Sequence, residues 1–94
     1  MNMNFEGFED AQTMGILHEN TFEAPTLDKL MQTKIGDYVK VCHSGERFWS
    51  KITEIDGDNI TATVENQIVI APFELHDIIK FQKKHIYAFY EETV

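Results

Sequence analysis

Apolar and polar residues alternate along most of the chain after Ile35, and a period of two is typical of β-strands. The clearest case is the segment 59–65, in which Ile60, Ala62 and Val64 alternate with polar residues. The same pattern predicts further strands over residues 38–42, 46–55, 75–82 and 86–90.

The segments between these strands carry turn residues. Asp56-Gly57-Asp58 is the strongest hairpin signal, because glycine readily takes the positive φ of such turns, and Ser44-Gly45 predicts a second tight connection. Short strands joined by hairpins, with no long helix, predict a mainly β protein. We expect a small antiparallel barrel of five to six strands, with an SH3-like barrel as the first choice and an OB-like barrel as the alternative.

A short helix is predicted just before the strands. Thr26 follows Pro25 and is a suitable N-cap, and Leu27, Leu30 and Met31 are spaced to lie on one face of the helix. That face is expected to cover an open end of the barrel. Residues 25–94 therefore form the predicted barrel domain with its leading short helix.

The first part of the chain is more acidic than the rest. Lys and Arg number 8 against 16 Asp and Glu, so the net charge is −8, and residues 1–28 contain no Lys or Arg. We interpret residues 1–24 as an acidic N-terminal arm. The arm is either a solvated tail or a docking segment, since Phe5, Phe8 and Phe22 among others are too apolar for a pure solubility tail.

Several protein classes are disfavoured. The chain has one cysteine, which suits a reducing compartment, and no apolar run of the roughly 18 residues that span a bilayer. No secretory leader pattern is found, so we expect a cytoplasmic protein with no membrane contact. Cys42 and His43 are adjacent in a predicted strand and point to opposite faces, and no second cysteine exists for a zinc site. We therefore expect no catalytic residues, no cofactor and no metal, and hence no enzyme.

Five segments of the chain carry a resemblance to known proteins. These are residues 36–41, Gly-Asp-Tyr-Val-Lys-Val; 45–49, Gly-Glu-Arg-Phe-Trp; 60–66, Ile-Thr-Ala-Thr-Val-Glu-Asn; 75–81, Leu-His-Asp-Ile-Ile-Lys-Phe; and 85–87, His-Ile-Tyr. Over about residues 36–90 the chain resembles a family of small uncharacterised bacterial and phage proteins. Ala62 and His76 stand where that family usually has glycine. The resemblance implies a small β-rich fold and a frequent home on phages or other mobile elements, and it implies no activity.

The Glu46-Arg47-Phe48-Trp49 block is the densest group of candidate binding residues. In a strand, Phe48 and Trp49 point to opposite faces, so one belongs to the core and the other forms a surface platform with Arg47. The alternative places both aromatics in the core, with Glu46 and Arg47 as a peripheral ion pair. The predicted partner-binding residues are Glu46, Arg47, Trp49, Glu6, Glu9, Asp10, Glu19 and Glu23.

These observations favour a non-enzymatic protein-binding module. We expect an acidic inhibitor or adaptor of a phage or mobile element, acting in a bacterial cell. It would dock on a basic surface of a host protein, including one that normally holds nucleic acid, as in a defence complex such as a CRISPR effector. Monomer and homodimer both remain open.

The alternative function is a barrel that binds single-stranded nucleic acid. It requires the basic residues to gather on one face with Trp49 or Phe81, and the net charge of −8 disfavours it. The basic residues concerned are Lys40, Arg47, Lys51, Lys80, Lys83 and Lys84.

Overall fold

A five-stranded antiparallel sheet forms the body of the protein, flanked by two short helices. The computed structural model describes residues 7–17 and 23–91. Its elements are α1 (Ala11–Leu17), α2 (Leu27–Met31), β1 (Tyr38–His43), β2 (Glu46–Asp56), β3 (Asn59–Val64), β4 (Ile78–Gln82), a 3-10 turn (Lys83–His85) and β5 (Ala88–Phe89). None of the helices in these ranges has the length and apolar composition needed to cross a membrane.

The strands follow the order β4-β3-β2-β1-β5, and every neighbouring pair is antiparallel. The prediction of a mainly β protein with five antiparallel strands is therefore confirmed. Closure into a barrel is not established, because within the described ranges no hydrogen-bonded pairing joins β4 to β5.

The sheet is strongly curved. Its two outermost strands would be roughly 19 Å apart in a flat sheet, yet the chain passes from β4 to β5 through one 3-10 turn and two further residues. The N–H of Tyr87 donates to the carbonyl of Lys40 at 2.7 Å, which brings the chain back onto β1. Thr53 is an extra residue between two paired positions of β2, and such bulges bend a strand.

Two hairpin turns determine the register of the central strands. Ser44 and Gly45 both have positive φ, 56° and 80°, as a type I′ turn requires. Gly57, with φ 61°, begins the two-residue connection between β2 and β3. Both predicted turns are confirmed.

The core lies on the concave face of the sheet. Residues of four strands alternate inward, and the side chain of Ile86 closes the core after the 3-10 turn. The buried strand residues of this face are Val39, Val41, Phe48, Ser50, Ile52, Ile60, Ala62, Val64, Ile79 and Phe81. Cys42 of β1 is also buried, in a second cluster.

Helix α2 begins where the sequence predicts, since the Oγ1 of Thr26 accepts the N–H of Lys29 at 3.2 Å. The prediction for its apolar face is wrong for two of three residues. Leu30 is buried, whereas Leu27 and Met31 are exposed. All three side chains line one hollow beside the helix, and this hollow leaves Leu27 and Met31 open to solvent.

Helix α1 is not predicted from the sequence and lies in the segment interpreted as the acidic arm. Asp10 caps it, because its Oδ1 accepts the N–H of Gln12 at 3.0 Å and the N–H of Thr13 at 3.1 Å. Phe8 belongs to the main core and is only 9% exposed, and Ala11 is fully buried in a second cluster. The described part of this segment therefore packs on the sheet.

Two strands are shorter than predicted. β4 begins at Ile78, because the preceding residues form a turn in which the Oδ2 of Asp77 accepts the N–H of Glu74 at 2.9 Å. β5 contains only Ala88 and Phe89, since the chain before it is still closing the 3-10 turn.

Candidate functional site: an aromatic cleft on the outer face of the sheet

Aromatic and basic side chains alternate on the outer face of β1 and β2. Cross-strand partners there are Lys40 with Trp49 and Tyr38 with Lys51. Since neighbouring residues of a strand point to opposite faces, burial of Val39 and Phe48 on the concave side turns Tyr38 and Trp49 outward. The structure thus places Phe48 in the core and Trp49, half-buried, on the outer face, a choice that the sequence left open.

These outward side chains line a cleft of about 360 Å³. Its walls are Tyr38, Trp49, Tyr90, Glu65 and Asn66. We call it the aromatic cleft.

The three rings of the aromatic cleft meet at steep angles. The centroids of Trp49 and Tyr90 are 5.8 Å apart at an interplanar angle of 89°, and those of Tyr38 and Tyr90 are 6.5 Å apart at 70°. Tyr38 is 38% exposed and Tyr90 is 60% exposed. The rings therefore enclose a corner that is open to solvent, and they do not form one flat platform.

Backbone hydrogen bonds hold the cleft residues in place. The N–H of Trp49 donates to the Oδ1 of Asn66 at 2.6 Å, and the carbonyl of Trp49 accepts the N–H of Glu65 at 2.9 Å. The N–H of Tyr90 donates to the carbonyl of Tyr38 at 2.9 Å. The backbone that carries the rings is therefore in place before a ligand arrives, which lowers the entropic cost of binding.

Two ammonium groups and one carboxylate lie next to the rings of the aromatic cleft. The Nζ of Lys40 lies 5.1 Å from the Trp49 ring centroid, and the Nζ of Lys51 lies 5.9 Å from that of Tyr38. Glu65 forms part of the cleft wall; its Oε2 accepts the hydroxyl of Thr63 at 2.7 Å. The aromatic cleft therefore combines π faces, a carboxylate and two nearby ammonium groups.

Glu46 and Arg47, which the sequence groups with Trp49, lie in other surroundings. The carboxylate of Glu46 accepts the backbone N–H groups of Val69, Ile70 and Ala71 at 2.9, 2.6 and 2.9 Å. These hydrogen bonds lower the pKa of Glu46. Glu46 is therefore an anchor for the segment that follows β3.

The guanidinium of Arg47 lies 4.7 Å from the ring centroid of Tyr87. Tyr87 is buried with Cys42 and Ala11 in the second cluster, under helix α1. Arg47 therefore packs on a different aromatic residue from those that line the aromatic cleft.

The predicted acidic binding residues are spread along the N-terminal segment. Glu6 and Glu19 lie outside the described residues. The N–H of Glu9 donates to the carbonyl of Cys42 at 2.9 Å, Asp10 caps α1, and Glu23 is exposed. None of these last three belongs to the wall of the aromatic cleft.

Cys42 and His43 point into different environments, as the sequence predicts. Burial raises the pKa of the Cys42 thiol, and the nearby carboxylate of Glu9 adds to the effect. The ring of His43 instead contacts those of Phe8 and Phe73, each with a centroid distance of 4.9 Å. Residues 7–17 and 23–91 contain no cluster of three or more His, Cys, Asp or Glu side chains placed to hold a metal ion.

The basic residues are dispersed over the structure. Lys40 lies over the Trp49 ring and Lys51 over the Tyr38 ring, whereas Arg47 packs on Tyr87. Lys80 is an exposed residue of β4, and Lys83 and Lys84 line a separate hollow of about 240 Å³ beside α2. Phe81, the other aromatic considered for nucleic acid, is fully buried. The six basic residues therefore do not form one continuous face.

Sequence reasoning missed four of the five residues of the aromatic cleft: Tyr38, Glu65, Asn66 and Tyr90. The outward orientation of Tyr38 could have been predicted, because Tyr38 and Lys40 alternate with the apolar Val39 and Val41 at the start of a predicted strand. Tyr90 and Asn66 carried no such signal, since each reaches the site through a long-range hydrogen bond, Tyr90 to the carbonyl of Tyr38 and Asn66 from the N–H of Trp49.

Comparisons of the chain with protein-family models, with curated proteins and with solved structures found no match. The resemblance to small bacterial and phage proteins stays a prediction.

Proposed function

We propose that this chain is a non-enzymatic protein-binding module that docks a partner through the aromatic cleft. The observation that carries the proposal is the corner of three outward-facing rings, Tyr38, Trp49 and Tyr90, whose backbone is held by hydrogen bonds. Tryptophan and tyrosine are enriched among the residues that dominate binding energy at protein interfaces, where each fills a pocket or forms one. A prearranged aromatic corner suits the insertion of one partner side chain.

The proposed partner has a basic surface. The net charge of −8 attracts positively charged proteins over long range and raises the rate of encounter. Together with the small size and the resemblance, this favours an inhibitor or adaptor of a phage or mobile element. Its target would be a host protein of the bacterial cytoplasm, such as a component of a defence complex.

We also propose that the curved sheet belongs to the class of SH3-like small barrels. The proposal is supported by the strand order, in which β4 and β5 are outermost, and by the short connection between them. A sheet that curls until its edges approach also hides the unpaired edges that promote aggregation.

Affinity capture with mass spectrometry tests the proposed function. Tagged wild-type protein and a Trp49→Ala variant are used to capture proteins from bacterial lysate, and Leu17→Ala, on the exposed end of α1, serves as a matched control. The captured protein is purified and its affinity measured by calorimetry. Loss of a central aromatic contact is expected to weaken binding by about thirtyfold, corresponding to about 2 kcal/mol, while the control binds like the wild type.

Retained affinity in a folded Trp49→Ala variant would place the binding surface elsewhere and refute docking at the aromatic cleft. Circular dichroism checks that the variant is folded.

A second candidate function is binding of single-stranded nucleic acid, which the lysines beside Trp49 and Tyr38 favour. Stacked bases prefer ring faces that lie open and side by side, and the steep angles within the cleft are less suited to them. A gel-shift assay with short single-stranded DNA and RNA distinguishes the two functions. Salt-sensitive binding at micromolar protein, lost on Lys40→Gln, would establish the second function in place of the first.

A further inference from the structure

We infer that the aromatic cleft recognises an arginine side chain of the partner, with Glu65 as the carboxylate that pairs with the guanidinium. This inference rests on the proposed function and specifies its chemistry.

Charge inside the cleft favours a cation. Of the described residues that form its wall, Glu65 is the one with an ionisable carboxylate, and no Lys or Arg is among them. The side chain of Glu65 is only 23% exposed, so water screens its charge less than that of an open surface residue. A cation entering the cleft therefore meets a partly desolvated negative charge.

The ring faces add to this preference. Aromatic rings attract cations through their negative faces, and tryptophan does so most strongly. The protein already uses these rings in this way, since the ammonium groups of Lys40 and Lys51 lie 5.1 and 5.9 Å from the centroids of Trp49 and Tyr38. The same rings are thus shown to accept cations in the free protein.

Arginine fits this combination better than lysine does. Its guanidinium is planar, so it stacks on a ring while its edge donates two hydrogen bonds to a carboxylate. The cleft offers rings at about right angles to one another with a carboxylate in the same wall. The Oε2 of Glu65 accepts the Thr63 hydroxyl at 2.7 Å, which orients the carboxylate. Its Oε1 lies 3.8 Å from the Nε2 of the exposed His76, a contact that an entering guanidinium would replace.

The two lysines then act as internal competitors. When a second cation enters the cleft, each lysine ammonium group must move away from its ring or remain close to the new positive charge. Both cost free energy, because like charges repel at short distance. Removing the Lys40 charge should therefore strengthen binding of a cationic ligand. The same change should weaken binding of an anionic ligand, so the sign of the effect reports the charge of the occupant.

Trp49 is the single tryptophan of the chain, and its fluorescence reports directly on the cleft. The probe is a short glycine-rich peptide that contains arginines, and its control is the same peptide with neutral citrulline in place of each arginine. Titrations at constant ionic strength use the wild type, Glu65→Gln and Lys40→Gln. Matched charge controls are Glu54→Gln and Lys80→Gln, which change exposed residues of β2 and β4 outside the cleft wall.

We expect saturable quenching or enhancement with the arginine peptide and none with the citrulline peptide. Glu65→Gln should weaken binding about two- to fivefold, the effect of one partly exposed ion pair. Lys40→Gln should strengthen binding about two- to fivefold, the effect of one exposed cation–π contact. Neither charge control should change the affinity by a comparable factor.

Equal binding of the two peptides, or weaker binding by Lys40→Gln, would overturn the inference. Equal effects of Lys40→Gln and Lys80→Gln would also overturn it, because the response would then reflect total charge. None of these results would change the outcome of the capture experiment with Trp49→Ala. Failure of the arginine assignment is therefore distinguishable from failure of docking at the cleft.

Discussion

The carboxylate of Glu46 accepts the backbone N–H of Ile70 at 2.6 Å, across 24 residues of sequence. The same carboxylate accepts the N–H groups of Val69 and Ala71, so one side chain at the start of β2 satisfies three successive amides. Successive amides that converge on an anion form a nest. This nest ties the segment after β3 to the start of β2, beside the β1–β2 turn, and leaves the side chains of Val69 and Ile70 exposed.

Glu46→Gln is expected to loosen this segment while the sheet persists. A neutral amide oxygen is a weaker acceptor than a carboxylate, and the NH₂ group would face amide donors. Hydrogen exchange should become faster at the amides of residues 69–71, and the melting temperature should fall. Glu54→Gln, on the same strand, is the control and should change neither. Unchanged exchange at all three amides would contradict the role assigned to Glu46.

Phe8→Ala is expected to destabilise the protein by about 3 kcal/mol, the lower end of the usual cost for a buried phenylalanine. The ring of Phe8 contacts those of His43, Phe73 and Phe81, with centroid distances of 4.9, 5.9 and 5.7 Å. Urea unfolding measures the change. The exposed Leu17→Ala should remain within about 0.5 kcal/mol of the wild type. A similarly small effect of Phe8→Ala would mean that this segment is a tail with no part in the core.

Stability should decrease as the pH falls through about 6.5, the ordinary pKa of histidine. Burial, with the charge of Lys84 adding to it, lowers the pKa of His85. Its Nδ1 accepts the N–H of Gln82 at 2.9 Å, which also requires the unprotonated nitrogen. The unfolded chain therefore takes up this proton first, and protonation favours unfolding.

Urea unfolding between pH 7.5 and about 5.5 measures this loss before the carboxylates titrate. His85→Asn keeps an acceptor near the position of Nδ1 and removes the titrating group. The variant should have a smaller slope of stability against pH than the wild type. An equal slope would assign the effect to other histidines.

Cys42 should react slowly with a thiol reagent in the native protein. It is buried, and its raised pKa leaves little thiolate at neutral pH. Labelling with an aromatic disulfide reagent should occur at the rate of unfolding and become fast in urea. Since Cys42 is the only cysteine of the chain, the readout needs no variant. Rapid native labelling would instead reveal an accessible, reactive thiol.

The strands and turns follow from local chemistry, and the sequence determined them. Alternation around Ile60 and Val64, the glycine of the β2–β3 turn and the hydroxyl cap at Thr26 each act within a few residues. The opposite orientation of Phe48 and Trp49 follows from the same two-residue period. Patterns of this kind are visible without knowing which segments meet.

Only the tertiary structure decided which of these residues work together. Glu46, Arg47 and Trp49 are neighbours in sequence, yet one anchors a distant loop, one packs on Tyr87 and one lines the cleft. The pairing of β5 with β1 brings Tyr90, near the end of the described chain, against Trp49. Long-range contacts of this kind depend on how strands bend and where loops return, and no short-range pattern in the sequence records them.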